Sequence, residues 1–422
     1  MLFRSVKTLP ALRPLCTFIA ACFATHAMAD GAHDERTDAI EVIGHYENAI
    51  GTSDSASQGY ITPRLIEARP IQRPGEVLEY VPGLIVTQHS GEGKANQFFL
   101  RGFNLDHGTD FSTSVAGVPV NMPTHAHGQG YSDLNFLIPE LVSRIDYKKG
   151  PYFAQEGDFS SAGAANFHYV DSLKQGMASL TYGSNNYRRA LVGDSHALTS
   201  GTLLLAFEGL GNDGPWEVPS KYGKRNGVLR YTLGTAADRQ AITVMAYEGR
   251  WTATDQIAQR AVDTGQVGRF GSLDRTDGGN SQRYSVSYER RRAIGNGEFQ
   301  LNAYAMRYRM QLFSNFTYFM NDAVNGDQFE QADRRSVFGI HPSWVITGHI
   351  GEHDSTFKFG LNLRRDNIGT VGLYNTAARE RNSTVRQDSV QQTSLGLYGE
   401  HTFEWNEWMR SVLGAKIGRA HV

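Results

Sequence analysis

From about residue 171 onward, apolar and polar side chains alternate with a period of two. Phe357, Phe359, Leu361 and Leu363 interleave with Lys358, Gly360, Asn362 and Arg364. Leu395, Leu397, Phe403 and Trp405 oppose Tyr398, Glu400, Thr402 and Glu404, and Tyr304, Met306, Tyr308, Met310 and Leu312 oppose Arg307, Arg309 and Gln311. Successive side chains of a strand point to opposite faces, so each stretch predicts a strand with one apolar face. Further strands are predicted at 178–182, 202–208, 228–233, 242–247 and 284–289. Polar stretches at 251–282, 315–335 and 365–392 predict long loops, and Gly295-Asn296-Gly297 predicts a tight turn. The apolar rows are expected to meet lipid and the polar rows an aqueous lumen. A soluble β-sandwich with a dry core would show the same alternation.

Before residue 171 the pattern differs. Pro74 to Val86 reads as a short helix broken at Pro82 and followed by a strand, within a compact α+β domain over 60–170. Residues 30–59 are polar and rich in Ser, Asp, Gly and Ala, like a flexible arm. Residues 1–29 read as a signal peptide: Arg4, Lys7 and Arg13 are the basic region, 15–24 the apolar core and Ala27-Met28-Ala29 the cleavage site. Ile19-Ala20-Ala21-Cys22 also fits a lipoprotein box loosely.

Composition narrows the choice. The 422 residues include 45 glycines and 11% aromatics, and the mean hydropathy is −0.40. With no apolar run long enough for a spanning helix, these values suit a transmembrane β-barrel, whose strands are apolar on one face only. Both cysteines, Cys16 and Cys22, fall in the signal, so neither a disulfide framework nor a thiolate metal site is expected. Cleavage removes three cations and takes the net charge from −2 to −5, which leaves no basic footprint for nucleic acid. Gly91-Glu92-Gly93-Lys94 lacks the spacing of a phosphate loop, no hydrolase or zincin motif occurs, and the chain is not expected to be an enzyme.

Four segments carry a resemblance. They are Val77 to Val86, Phe98-Phe99-Leu100-Arg101-Gly102-Phe103, Val115 to Val120, and Leu137 to Phe167 with its Lys149-Gly150-Pro151 turn and its small-residue stretch Ser161 to Asn166. Together they resemble the plug of TonB-dependent outer-membrane receptors, with Ala116 standing where the family has Asp. Asp38-Ala39-Ile40-Glu41-Val42-Ile43-Gly44 resembles the TonB box, an extended segment able to add as a strand to the coupling protein's sheet.

The resemblance implies a TonB-dependent receptor in the cell outer membrane: a 22-stranded barrel around an N-terminal α+β plug. At roughly 20–25 residues per strand and connection, 171–416 holds about ten or eleven strands, the N-terminal half of such a barrel. An open half-barrel would expose unpaired edges to lipid, so the function belongs to the full-length parent. Ile417-Gly418-Arg419-Ala420-His421-Val422 is what a common sequencing adapter encodes and is read as an artefact. The implied activity is active import of a scarce ligand, first an iron–siderophore complex. A direct zinc or copper receptor, and a passive porin or surface docking protein, are the alternatives. The implied partners are TonB with ExbB and ExbD at the inner membrane, outer-membrane lipid and the cargo, with the receptor acting as a monomer. No cofactor is expected, a transition metal entering only as cargo.

In the family the plug's apical loop follows the Val115–Val120 segment and faces the exterior. Here it runs from Asn121 to Tyr131 and holds His125, His127, Gln129 and Tyr131. In extended chain an H-x-H pair puts both imidazoles on one face, roughly 6–7 Å apart, a workable metal chelate. Asp106, His107 and Asp110 lie in the preceding connection, so three histidines and a carboxylate are expected to complete a four-ligand set. Solvated loop histidines, or hydrogen-bond donors to an anionic or sugar-like ligand, are the plainer readings. Tyr131, Trp216 and Trp251 are expected to form an aromatic wall or to mark the membrane interface. Arg101 is expected to pair with carboxylates of the barrel wall, with Gly102, Gly150 and Pro151 as structural turn residues.

Overall fold

The structure, a computed structural model, describes residues 58–67, 71–88 and 91–422. The predicted signal peptide and the segment 38–44 lie outside the described residues.

The first described strand, β1 (Gln58–Ile61), pairs with β7 (Val142–Lys149). A short helix α1 (Pro63–Glu67) and a 3₁₀ turn (Pro74–Tyr80) follow. β2 (Leu84–Thr87), β3 (Gln97–Leu100) and β4 (Phe103–Asn104) make a small sheet. β5 (Phe111–Val115), β6 (Val118–Pro119) and β8 (Gly163–Tyr169) complete the main sheet in the order β1-β7-β8-β5-β6. The small-residue stretch is needed where β8 runs parallel to β5 and antiparallel to β7. Ala164 and Ala165 are buried there, and a Cβ on Gly163 would stand 2.3 Å from the Lys148 carbonyl oxygen.

The remaining strands are β9 (Met177–Tyr182), β10 (Arg188–Leu198), β11 (Gly201–Asn212), β12 (Tyr222–Gly234), β13 (Asp238–Thr252), β14 (Gly278–Ile294), β15 (Gly297–Ser314), β16 (Phe329–Ile350), β17 (His353–Ala377), β18 (Glu380–Asn406) and β19 (Met409–His421). They form one antiparallel meander of 11 strands, with β9 and β19 at its edges. Short turns such as Gly295-Asn296 join strands at one end; connections 253–277, with a short helix α2 (Gln259–Asp263), and 315–328 lie at the other. Phe207, Leu229, Val244, Val286, Phe338, Phe359 and Leu397 are exposed on one face, the lipid-facing row expected from the alternation.

Two expectations fail. Tyr304, Met306, Tyr308, Met310 and Leu312 are the apolar row of β15, but they are buried in one core with Val118, Met122 and Tyr131 of the plug, and Arg307 and Arg309 face outward. Alternation fixes which residues share a face, not which face is inside, and a plugged lumen offers an apolar surface. The predicted loop 365–392 is instead a hairpin: β17 and β18 pair up to Ala377↔Glu380, around Ala378 and Arg379 at φ 50° and 71°. A membrane-crossing strand needs about 9–11 residues, and β16, β17 and β18 have 22, 25 and 27. Above the membrane both faces are wet, so the hydropathy alternation vanishes while the pairing continues.

Candidate functional site

The apical loop Asn121–Tyr131 closes on itself through Met122 and Tyr131, whose backbones bridge. Asn121 anchors its base. The Oδ1 accepts from the Thr113 amide at 2.6 Å, and the Nδ2 donates to the carbonyls of Gly108, Phe111 and Gly130. Gly130, at φ +76°, cannot carry a side chain, because a Cβ would meet Phe159 at 2.8 Å and the Thr109 Cα at 2.9 Å.

The loop turns rather than extends between the two histidines: the His127 amide donates to His125 Nδ1 at 3.2 Å. The rings therefore diverge. His125 is buried, stacks on Tyr131 with centroids 4.2 Å apart, and points its Nε2 toward Asp333 at 4.0 Å. His127 meets His107 instead, Nε2 to Nε2 at 3.1 Å. The expected three-histidine chelate does not form, and among the described residues no three His, Cys, Asp or Glu side chains gather as a metal-ligand set. A period-two argument assumes extended chain, and the chain bends at Ala126 and His127.

The outer shell of the His107–His127 pair fixes its protonation. His107 Nδ1 lies 3.0 Å from the Asn96 carbonyl, which only accepts, so Nδ1 carries the proton. His127 Nδ1 lies 2.8 Å from Gln331 Oε1, and the Gln331 amide is oriented by donating its Nε2 to the Ala126 carbonyl at 2.9 Å. So His127 Nδ1 also carries a proton. In the neutral rings both Nε2 atoms then present lone pairs to each other. Burial holds His127 down to about 4, with the hydrogen bond to Gln331 opposing and the charge of His107 reinforcing the shift. Asp106 Oδ1 is 3.7 Å from His107 Nε2. Donation of each Nδ1–H to an oxygen, with the Nε2 atoms converging, is how metal-binding imidazoles are oriented.

The other predicted site residues have framework roles. Gln129 caps the loop, its Oε1 accepting from the Thr124 amide at 2.6 Å. Tyr131 is core: its hydroxyl accepts from the Ala95 amide, and burial raises its pKa well above the usual value. Asp110 accepts from Ser161 and ties the connection to the start of β8. Trp251 packs on the plug, so close that a Cβ on Gly93 would stand 2.2 Å from its ring, while Trp216 pairs with Phe270 at 6.2 Å. The expected aromatic wall is absent.

Arg101 is exposed on a turn at φ +52°, beside Gly102 at φ +83°. Arginines of the wall grip the plug. Arg335 of β16 donates to the carbonyls of Pro123 and Thr124 at 2.6 and 3.0 Å, held by Asp333. Arg364 of β17 donates to the Asn121 carbonyl at 3.0 Å, held by Asp366. Arg283 reaches the Pro119 carbonyl at 3.1 Å, and Arg189 forks onto Glu140 at 2.6 and 2.9 Å. These clamps were not legible in the sequence: Asp333 and Arg335 fall in the stretch 315–335 and Asp366 in 365–392, both predicted as loops, whereas β16 and β17 run through them and put Asp333 with Arg335 and Arg364 with Asp366 on one strand face. Their targets, some 200 residues away, left no local trace.

Residues 52–164 match the family model of the TonB-dependent receptor plug domain. The chain has the plug and the fold of a TonB-dependent receptor. Solved receptors of similar fold include the ferric citrate transporter FecA (15% identity, 87% of this chain and 56% of that one, TM-score 0.71). The copper transporter OprC (15%, 87% and 55%, TM-score 0.64) and the ferric-catecholate import receptor Fiu from E. coli K12 (14%, 87% and 60%, TM-score 0.63) are also similar. The chain thus spans little more than half the length of these receptors. Its 11-stranded sheet agrees with the half-barrel expected from the strand spacing, and the architecture is that of an outer-membrane barrel.

Proposed function

We propose that this chain is the plug and first half of the wall of a TonB-coupled importer, with iron–siderophore complexes as the family's leading cargo class. The observation that carries the reading is the grip of Arg335 and Arg364 on the apical loop carbonyls. A loop held by strands on which outer loops sit can pass cargo capture to the plug. Binding energy that differs between two plug states is what would expose the periplasmic arm at 38–44. TonB, energised by ExbB and ExbD, would then pull on that arm. A passive porin needs neither plug nor arm; a surface docking role needs only the outer loops and is compatible with import. Deleting residues 38–44 from the full-length receptor gene tests the coupling. Uptake of labelled cargo should stop, and persistence would favour diffusion.

A second cargo reading rests on the facing Nε2 lone pairs of His107 and His127. Such a pair suits Zn²⁺ or Cu²⁺, which takes imidazole at about 2.0–2.1 Å, with Asp106 or a donor of the cargo completing the shell. Uptake of labelled zinc and of labelled ferric siderophores, with and without His107→Ala/His127→Ala, distinguishes the two. Zinc uptake by the wild type that is lost in the double variant supports direct metal import, whereas siderophore uptake that survives the mutations, with no zinc uptake by the wild type, restores the siderophore reading. His125→Ala should leave zinc uptake in place, because its ring faces away from the pair.

A further inference from the structure

Two buried charges of opposite sign lie at the seam between plug and wall without an ionic partner. Arg283 of β14 is 3% exposed and Asp133 of the plug 5%. Neither forms an ion pair with a described residue. The Arg283 guanidinium donates from Nη2 to the Pro119 carbonyl at 3.1 Å and lies 4.4 Å over the Phe136 ring. Its Nε and Nη1 are buried with no acceptor. Asp133 accepts on Oδ1 from the amide and the side chain of Asn135, both at 2.8 Å. Lys224, the other cation that acts on Asp133, is committed to Glu208 at 3.0 Å. Burial pushes the Asp133 carboxyl up to about 6, against the Asn135 bonds and the charges of Arg283 and Lys224.

This arrangement works against the seated plug. A buried charge without its counter-ion and a buried N–H without an acceptor both disfavour the state that contains them. The hydroxyl of Tyr308, the cross-strand partner of Arg283, is also buried without a partner. The two acceptors on offer to Arg283 hang on different parts of the plug. Pro119 belongs to β6, one edge of the sheet β1-β7-β8-β5-β6, and the opposite edge β1 is the strand that follows the arm in sequence. Asp133 belongs to the stretch 132–137, which is fastened to the wall: Lys224 Nζ donates to the Asn135 carbonyl at 3.3 Å, and Phe136 lies against Arg283 itself. The loop before it is held by Arg335 and Arg364. A pull on β1 therefore takes Pro119 from Arg283 and leaves the Asp133 stretch in place.

We propose that Arg283 exchanges partners when the plug sheet is drawn from its seat, giving up the Pro119 carbonyl for the Asp133 carboxylate, and that this ion pair holds the withdrawn state. The exchange rests on the coupled import proposed above. It turns two unpaired buried charges into a charge-assisted pair whose geometry a guanidinium and a carboxylate match in fork fashion. The withdrawn state is then a second discrete packing and not a continuous deformation of the first. Reseating returns the Pro119 carbonyl to Arg283. Arg283 thus acts in both states and Asp133 in the second alone, a difference that a purely structural role for the two would not produce.

The test is single-molecule pulling on the N-terminal arm of the purified full-length receptor in lipid nanodiscs. It reads the force that unseats the plug and the lifetime of the partly withdrawn state, with no cargo present. The wild type should show such a state. Asp133→Asn should leave the unseating force undiminished and shorten the lifetime about tenfold or more, as loss of one member of a buried charge pair does to a dissociation rate. Asp133→Glu, which keeps the carboxylate, should restore the lifetime. Arg283→Gln should lower both force and lifetime, and Asp133→Asn/Arg283→Gln should be no shorter-lived than either single variant. A wild-type lifetime in Asp133→Asn, a double variant whose loss is the product of the two, or a wild type with no withdrawn state overturns the exchange. Should Arg283→Gln fail to give the heat-modifiable band of a folded barrel, Asp133→Asn and Asp133→Glu decide alone. Deleting residues 38–44 separates this inference from the import reading. Uptake abolished by the deletion, with a lifetime independent of Asp133, overturns the exchange alone; uptake that survives the deletion overturns both, since nothing then draws the sheet.

Discussion

Arg335 donates its Nη1–H to the carbonyl of Pro123 at 2.6 Å, across 212 residues of chain, while Asp333 on the same strand face holds the other side of the guanidinium at 2.8 and 2.6 Å. A buried cation is thus shared between a carboxylate of the wall and the backbone of the plug. Arg335→Ala should free the 121–131 loop and leave Asp333 buried without its partner, a loss of about 3–5 kcal/mol for one-sided breakage of such a pair. Hydrogen exchange should show the amides of 121–131 exchanging faster while the strand amides of β14 stay protected. Unchanged loop protection would show that the clamp does not hold the plug.

The Arg189 network offers a graded comparison. Arg189 joins Glu140 of the plug to Glu208 of β11, and Glu208 also binds Lys224 at 3.0 Å. Glu140 is half-exposed and Glu208 is buried. Glu140→Ala should cost about 1 kcal/mol or less, as exposed pairs do. Glu208→Ala strands the buried Lys224 and leaves Arg189 only its plug partner Glu140, and should cost about 3–5 kcal/mol. Thermal denaturation of the folded barrel checks the order, and equal shifts would contradict the burial argument.

Acid should loosen the apical loop. Burial, against the opposing bond to Gln331, holds His127 at about 4, and burial with the Arg335 charge pushes His125 well below the usual histidine value. Between about 4 and the usual value of about 6.5, the unfolded loop binds more protons than the folded one. The contribution to stability is therefore complete above about 6.5 and is lost as pH falls through about 4. Asp133, raised to about 6 by burial, acts with the opposite sign: its neutral form favours the fold at low pH, and that contribution fades above about 6. The two histidines belong to the 121–131 loop itself, whereas Asp133 lies beyond it, so amide protection at 121–131 should fall from pH 7 to pH 4.5. His127→Gln should flatten the profile; a profile as steep as wild type would remove His127 as the cause.

Gly93 is the contact on which Trp251 rests. At φ +95° and 2.2 Å from the ring, a Cβ has no room. Gly93→Ala should destabilise plug seating by about 2–3 kcal/mol, from left-handed strain plus overpacking. Trp251→Ala in the same chain should recover the overpacking part but not the strain. A double-mutant cycle on thermal stability reads this directly, and strict additivity of the two costs would mean the residues do not touch.

Much of the architecture was legible in the chain. Period-two alternation marked eight of the eleven wall strands, missing β10, β16 and β19, and Gly295-Asn296 marked a turn, because both depend on residues adjacent in sequence. The Lys149-Gly150-Pro151 turn and the Ala164-Ala165 pair did the same for the plug. The alternation failed for 365–392, where water on both faces removes the hydropathy contrast that the reading depends on.

The site was legible as a list of residues and not as an arrangement. The sequence by itself placed His107, His125 and His127 in neighbouring plug connections, but it put Asp333, Arg335 and Asp366 in predicted loops, and only the pairing of β16 with β17 sets Asp333 with Arg335 and Arg364 with Asp366 on one strand face. Only the tertiary structure decided that His125 turns into the core against Tyr131 while His127 faces His107. It alone decided that β15 turns Tyr304 to Leu312 toward the plug and Arg307 and Arg309 toward the membrane. Strand periodicity is set by backbone stereochemistry and is local, whereas the choice of face and the direction of a loop ring depend on what surface arrives opposite, and that surface comes from residues some two hundred positions away.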